Sequence, residues 1–113
     1  GERLVRFAPD GTPACSPGTC VGLLANRGSA LAVICCHPWG PLGGSMRDPH
    51  VALIAATLGV EGGLTTLRFN FRYGIGAGRA SASDLRGACA FLLGLDGEGG
   101  AAAPRRLLLI GYS

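Results

Sequence analysis

Apolar residues along the chain come in five short runs, separated by segments rich in glycine, proline and small polar residues. These runs predict strands over residues 3–7, 20–25, 30–36, 64–70 and 106–110. The run over 30–36 is continuously apolar, which is typical of a parallel strand buried on both faces. The run over 3–7 alternates in part, and we expect it to pair antiparallel with the next strand at one edge of a sheet.

Two of the segments between strands show the apolar spacing of a helix. In the first, Ser45 is a candidate N-cap and Gly59 a candidate C-terminal stop. In the second, Ser83 is the candidate N-cap and Asp84 lies in the first turn, where its charge suits the helix dipole. The expected buried face of this helix is Leu85, Ala88, Cys89, Leu92 and Leu93. Strands that alternate with helices predict an α/β protein with a mostly parallel sheet.

Composition and charge exclude several classes of protein. A chain of 113 residues allows one domain at most, and its 48% hydrophobic content argues against disorder. The ten basic residues, all Arg, exceed the seven acidic ones to give a net charge of +3, but they form no stripe, so we expect no nucleic-acid partner. No apolar stretch reaches the roughly 18 residues that a membrane span needs.

Five cysteines are present, and their spacing does not predict a metal site. Cys15 and Cys20 flank a Pro-Gly turn and could pair or bind a metal, but their spacing with the later Cys35-Cys36 pair is not that of a zinc site. Cys35, Cys36 and Cys89 lie in apolar patterns typical of buried free thiols. We expect no metal and no cofactor, and a reduced, intracellular protein is favoured over a secreted one.

In open parallel sheets, chemistry gathers beyond the carboxyl ends of the strands. Gly111-x-Ser113 follows an apolar run and is the first half of Gly-x-Ser-x-Gly, which turns a strand sharply into a helix and exposes a serine hydroxyl. The plainer interpretation is an ordinary loop serine. The glycine-rich segment from His37 to Gly44 can aim backbone N–H groups at a developing oxyanion, or be a loop in which His37 bonds to the backbone. We do not expect His37 to be a general base.

The glycines at positions 74, 76 and 78 invite a nucleotide-binding interpretation, which fails in detail. A dinucleotide fingerprint needs its third glycine at position 79, which is Arg79. The following helix is also expected to begin only near residue 83, too late to bind a pyrophosphate at its start. Nucleotide binding is therefore the weakest of the functions considered.

Three blocks of sequence together resemble the α/β-hydrolase superfamily, in the branch of small hydrolases with His-Pro after the third strand. The blocks are Cys36-His37-Pro38-x-Gly40-x-x-Gly43-Gly44-Ser45-Met46, Leu67-Arg68-Phe69-Asn70-Phe71-Arg72 and Leu108-Leu109-Ile110-Gly111-Tyr112-Ser113. The resemblance covers roughly residues 20–113, and one departure is Tyr73, where the family has glycine. It implies the N-terminal part of an α/β-hydrolase fold, with helices on both faces of the sheet and strand order 1-2-4-3-5.

The resemblance also implies site residues. Ser113 matches the nucleophile, and the backbone N–H of Trp39 matches one donor of the oxyanion hole, in a loop supported by His37 and Gly40. The family's acid and histidine lie on later strands. Residues 1–113 are therefore expected to be a partial domain, truncated at both ends and inactive alone.

The implied function is hydrolysis of a small-molecule ester, thioester or amide through an acyl-enzyme. The alternative is a non-catalytic α/β-hydrolase-like protein used for binding or as a scaffold; the sequence following Ser113 would discriminate the two. The run over 106–110 has no charge after Arg106, so we also expect self-association through that strand.

Overall fold

The computed structural model of the chain describes residues 1–9, 19–37, 45–71, 78–95 and 103–111. The strands are β1 (Arg3–Phe7), β2 (Cys20–Ala25), β3 (Leu31–Cys36), β4 (Thr65–Asn70) and β5 (Arg106–Gly111). The helices are α1 (Pro49–Ala56), which continues into a π-helical turn (Thr57–Glu61), and α2 (Gly78–Leu93). All five predicted strands are confirmed to within one residue at either end. Among the described residues, no helix is long and apolar enough to cross a membrane.

The five strands form one sheet in the order β1-β2-β4-β3-β5, which confirms the order that the resemblance implies. β2 pairs antiparallel with both β1 and β4, whereas β3 pairs parallel with β4 and with β5. The sheet is therefore mixed, with β2 running against the other four strands. As a consequence, the carboxyl ends of β3, β4 and β5 lie at the same end of the sheet.

A helix covers each face of the sheet, and β3 contributes to both hydrophobic cores. Ile34 packs in the core that α2 closes through Ala88 and Leu92. Val33 and Cys35, which point the opposite way along the strand, pack in the core that α1 closes. The continuous apolar run of β3 is thus explained by burial on both faces.

The first helix begins later than the sequence predicts, because Asp48 rather than Ser45 caps it. The Asp48 side chain accepts hydrogen bonds from the backbone N–H groups of His50 and Val51, at 2.9 and 3.4 Å. Pro49 occupies the first helical position, where its missing N–H has no helical partner to lose. Ser45 instead accepts a bond from the N–H of Arg47 in the preceding turn. The predicted cap, Ser45, was wrong. Serine and aspartate can both cap a helix, and Pro49 at the first helical position favours Asp48 as the cap.

Gly59 does not end this helix, contrary to the prediction. The chain continues through the π-helical turn and ends at Gly62 and Gly63, the latter with a φ of 69°. A side chain at Gly59 would meet the guanidinium of Arg27, which would have to shift. That guanidinium also donates to the carbonyl of Leu64, which follows the turn.

α2 begins at Gly78, five residues before the predicted start. Ser83 and Asp84 therefore lie inside the helix rather than at its cap and first turn, and Asp84 is buried. Leu93 is exposed, whereas Leu92 is buried, because successive residues of a helix point about 100° apart. The other predicted members of the buried face, Leu85, Ala88 and Cys89, are buried or half-buried.

Candidate functional site

The three parallel strands end almost level with one another. Cys36 of β3 lies opposite Phe69 of β4 on one side and Gly111 of β5 on the other. The last residues of these strands are therefore neighbours at one end of the sheet. Of the predicted site residues, His37 is described, while Trp39, Gly40 and Ser113 lie outside the described residues.

His37, directly after β3, is held against the end of β4. Its side chain is almost fully buried, with 8% of the residue exposed. Its Nε2 atom accepts a hydrogen bond from the backbone N–H of Phe71 at 3.1 Å, and its ring meets the Phe71 ring edge-on, with centroids 5.0 Å apart. Accepting this bond requires Nε2 to be unprotonated. The lone pair of Nε2 is thus engaged with the backbone N–H of Phe71.

Met46, nine residues further on, is held by two side chains of β4. The residue is 3% exposed. Its backbone N–H donates to Oδ1 of Asn70 at 2.7 Å, and its carbonyl accepts from Nη1 of Arg68 at 2.7 Å. Both polar backbone groups of a buried residue are therefore satisfied from the neighbouring strand, in a turn that leads directly into α1.

Arg68 is itself fixed by Glu2, which precedes β1. Its Nε and Nη2 atoms donate to the two carboxylate oxygens of Glu2, at 2.7 and 2.6 Å. The hydrogen bond from Arg68 is the main reason why the pKa of Glu2 is lowered, and the same bond raises the pKa of Arg68. Two parallel bonds fix the plane of a guanidinium, so the direction of Nη1 toward Met46 is fixed as well.

We call Arg68, Asn70 and Phe71 the β4 anchor. Arg68 and Asn70 of β4 bind the backbone of Met46, and Phe71, directly after the strand, binds His37. Sequence reasoning placed them in a block of the resemblance but gave them no role. A signal was present: Arg68 and Asn70 are polar residues within an otherwise buried strand, spaced so that they share one face. Polar side chains at such positions need partners, and here the partner is the backbone of Met46.

The described thiols and carboxylates do not form a metal site or a reactive cysteine. Burial raises the pKa of Cys35 and of Cys36 to about 11, and it raises the pKa of Cys89 as well. These thiols therefore stay protonated at neutral pH. Within the described ranges, no group of three or more metal-ligating side chains is found. Cys20 is buried, and Cys15 lies outside the described residues.

The start of α2 removes one argument against nucleotide binding. The helix begins at Gly78, not near residue 83, so the expectation that it starts too late for a pyrophosphate was wrong. The remaining argument is Arg79 at the position of the third glycine. Apart from Gly78, the glycine-rich loop lies outside the described residues.

No protein-family model matches the sequence, and no curated protein matches it. Several solved structures do match the chain. An α/β serine hydrolase without a lid from Xanthomonas campestris matches with a TM-score of 0.70 and 23% identity, over 99% of this chain and 50% of that one. An α/β serine hydrolase homologue from Coxiella burnetii matches with a TM-score of 0.66 and 24% identity, over 100% and 51%.

A protein of unknown function from Agrobacterium tumefaciens, provisionally assigned to the α/β hydrolases, matches with a TM-score of 0.65 and 25% identity, over 99% of this chain and 49% of that one. The chain thus spans about half the length of each of these three proteins. The match to each of them covers the whole five-stranded sheet of this chain and both of its helices.

Proposed function

We propose, from the premise that the chain belongs by its fold to the α/β-hydrolase superfamily, that it contributes the nucleophile and one oxyanion donor of a serine hydrolase. The substrate would be a small-molecule ester, thioester or amide. The observation that carries this proposal is the level ending of β3 and β5, with Cys36 opposite Gly111. In the sequence, Ser113 lies two residues after Gly111, and Trp39 lies three residues after Cys36.

In this proposal Ser113 Oγ attacks the carbonyl carbon of the substrate, and its proton passes to a histidine. The backbone N–H of Trp39 stabilises the negative oxygen of the tetrahedral intermediate. As the intermediate collapses, the alcohol, thiol or amine leaves with that proton, and an acyl group stays on the serine oxygen. Water then attacks the acyl-enzyme, gives a proton to the same histidine, and releases the acid and the free serine.

The histidine of this mechanism would come from outside the 113 residues. The chain has two histidines, and Nε2 of His37 is engaged with the backbone of Phe71. His50 is exposed at the start of α1, with Nδ1 3.6 Å from Oδ1 of Asp48. The competing proposal is a non-catalytic binding or scaffold protein. Under that proposal, a gene that continues past Ser113 would not encode the family's glycine, acid and histidine.

The test is an assay of p-nitrophenyl ester hydrolysis on two proteins: the 113-residue chain, and the product of the coding sequence read on past Ser113. We expect turnover only in the longer product, and a loss there of about 10⁴-fold or more in Ser113→Ala. Ser29→Ala, at the opposite end of β3, is the matched control and should keep full activity. Turnover that survives Ser113→Ala, or serine-dependent turnover by the 113-residue chain, would overturn the mechanism.

A further inference from the structure

We propose that a recess between α1 and the sheet is a binding site for a small carboxylate with an apolar body of about four or five carbons. The recess lies against the beginning of β4, away from the carboxyl ends of the parallel strands. Its volume is about 200 Å³, and its lining residues are Gly1, Glu2, Arg27, Ala55, Ala56, Val60 and Thr66. The inference does not depend on the proposed function.

The first observation is the hydroxyl of Thr66, which lines the recess. The residue is 1% exposed, yet its hydroxyl has no hydrogen-bond partner among the described residues, whereas every fully enclosed side-chain oxygen or nitrogen there has one. The hydroxyl is therefore not enclosed by protein and opens into the recess. A buried hydroxyl without a partner is costly, and a ligand that bonds to it would remove that cost.

The second observation is the guanidinium of Arg27, which the π-helical turn holds in place. Its Nη1 atom donates to the carbonyl of Leu64 at 2.9 Å, and the group lies directly against the backbone of Gly59. No carboxylate in the described part of the chain forms an ion pair with it. A fixed guanidinium with unused N–H groups is well suited to bind a carboxylate.

The balance of charge around the recess favours an anion. Glu2 is the one acidic residue among the described residues that line it, and Arg68 binds both of its oxygens, at 2.7 and 2.6 Å. The pKa of Glu2 is lowered mainly by this hydrogen bond from Arg68, and more weakly by the charge of Arg27. Because Arg68 already balances the charge of Glu2, Arg27 leaves the recess positive.

The remaining wall determines the body of the ligand. Ala55, Ala56 and Val60 present methyl groups, and Val60 is 72% exposed on the π-helical turn. An apolar cavity of about 150 Å³ holds a benzene molecule, so a recess of about 200 Å³ accommodates a short branched chain. A carboxylate bonded to Arg27 and Thr66, with its carbon chain against Val60, would use each of these features.

The experiment titrates the 113-residue chain with 3-methylbutanoate and follows the backbone amides by nuclear magnetic resonance. We expect saturable binding with a Kd of about 1 mM, and the largest shifts at Arg27, Val60 and Thr66. Acetate has the charge without the body, and 3-methylbutan-1-ol has the body without the charge. Each should bind about tenfold more weakly than 3-methylbutanoate.

Two variants test the charge and the space separately. Arg27→Gln should weaken binding about tenfold, whereas Arg6→Gln, which removes the same charge from an exposed position on β1, should not change it. Ala56→Leu should abolish saturable binding by filling the recess from an exposed position on α1. Its matched control is Ala90→Leu, at an exposed position on α2, which should bind as wild type does.

A third variant separates a binding role of the Thr66 hydroxyl from a structural one. Thr66→Val should weaken binding about fivefold and leave the urea midpoint of unfolding unchanged, because the hydroxyl has no partner to lose. Thr65→Val is the contrast: the Thr65 hydroxyl accepts from Arg27 N–H at 3.0 Å and bonds Asn26 Oδ1 at 3.4 Å, so its loss should lower that midpoint.

Several results would overturn the proposal. These are an absence of saturation at about 20 mM 3-methylbutanoate, equal binding of 3-methylbutan-1-ol, and largest shifts at amides outside the recess. Wild-type affinity in Ala56→Leu would do the same, and this exposed helical position keeps the test decisive if Arg27→Gln fails to fold. A lower urea midpoint in Thr66→Val with unchanged affinity would show that the hydroxyl serves the fold instead.

Discussion

The two edge strands of the sheet, β1 and β5, are protected very differently. β1 buries Val5 and Phe7, and the Phe7 ring stacks on Phe91 of α2 with centroids 5.4 Å apart. Its exposed positions are Arg3, Leu4 and Arg6, so two of the three carry a positive charge. Charges on an edge strand discourage a second strand from pairing with it, so Arg3 and Arg6 disfavour pairing of another chain with β1.

β5 is less protected, although Leu107 and Ile110 pack against the two cores. Leu108 is 44% exposed and Leu109 is 45% exposed, on opposite faces of the strand. After Arg106 the strand carries no charge, and no described strand pairs with its free edge. The comparison teaches that β1 buries aromatic surface against α2, whereas β5 exposes two leucines and, within the described part of the chain, pairs with a strand on one side only.

The largest effect should come from removing the aromatic side chain that locks β1 in place. Phe7→Ala loses contacts with both Phe69 and Phe91, and should lower the free energy of unfolding by about 3–5 kcal/mol. Leu109→Ala on the open edge should cost less than about 1.5 kcal/mol, since its side chain is already half exposed. Urea unfolding followed by circular dichroism measures both. Equal losses would contradict the difference between the edges.

A smaller effect is expected where α2 meets the chain that follows β1. A methyl group at Gly87 would overlap the carbonyl of Ala8 and the Cα of Pro9, which are backbone atoms with little room to move. Gly87→Ala should therefore destabilise the chain by about 1–3 kcal/mol. Gly111→Ala on β5 is the matched control, because the added methyl would meet Cys36 Cβ at an ordinary 3.7 Å. If Gly87→Ala were as stable as the control, the close helix contact would be wrong.

The open edge itself predicts concentration-dependent self-association of the 113-residue chain. Size-exclusion chromatography with light scattering should detect it. Leu108→Lys should weaken association about tenfold, by placing a charge on the pairing strand and removing apolar surface. The matched control is Leu4→Lys on β1, where Leu4 is 54% exposed, and it should have no such effect. A monodisperse monomer at every concentration would remove the reason to regard β5 as open.

The smallest effect concerns the ion pair near the start of β1. The pKa of Glu2 in the folded chain lies below its ordinary value of 4.5, so its stabilisation is present above that value and lost as the pH falls through the lower, folded value. The Glu2→Gln variant should therefore be less stable than wild type at pH 7, by under about 1 kcal/mol because the pair is partly exposed.

The difference between wild type and Glu2→Gln should shrink as the pH falls below 4.5, as measured by urea unfolding at a series of pH values. Glu61→Gln, at an exposed carboxylate on the π-helical turn, is the control and should leave the pH profile unchanged. A Glu2→Gln protein with wild-type stability at pH 7 would show that Arg68 holds Met46 without help from Glu2.

The start of each helix shows where local sequence is insufficient. Ser45 and Asp48 are both good N-caps, and the choice between them depends on which side chain reaches the free N–H groups of the first turn. The Asp48-Pro49 pair was the better signal. α2 extends back to Gly78 through residues that include Arg79 and Ala80, both of which favour helix.

The sequence by itself determined the five strands, the two helical segments and the burial of β3 on both faces. These follow from hydrophobic periodicity, which acts over a few residues and can be seen in a single chain. Together with the resemblance, it also determined the strand order. Ser113 and Trp39 remain predictions.

Only the tertiary structure decided which residues bind His37, Met46 and Glu2. Phe71 meets His37 across 34 residues of sequence, and Asn70 meets Met46 across 24. Arg68 meets Glu2 across 66. Such pairs depend on the parallel register of β3 with β4 and on the path of the turn before α1. A hydrogen bond is formed only when donor and acceptor come within about 3 Å, a condition set by packing rather than by either residue's neighbours in sequence.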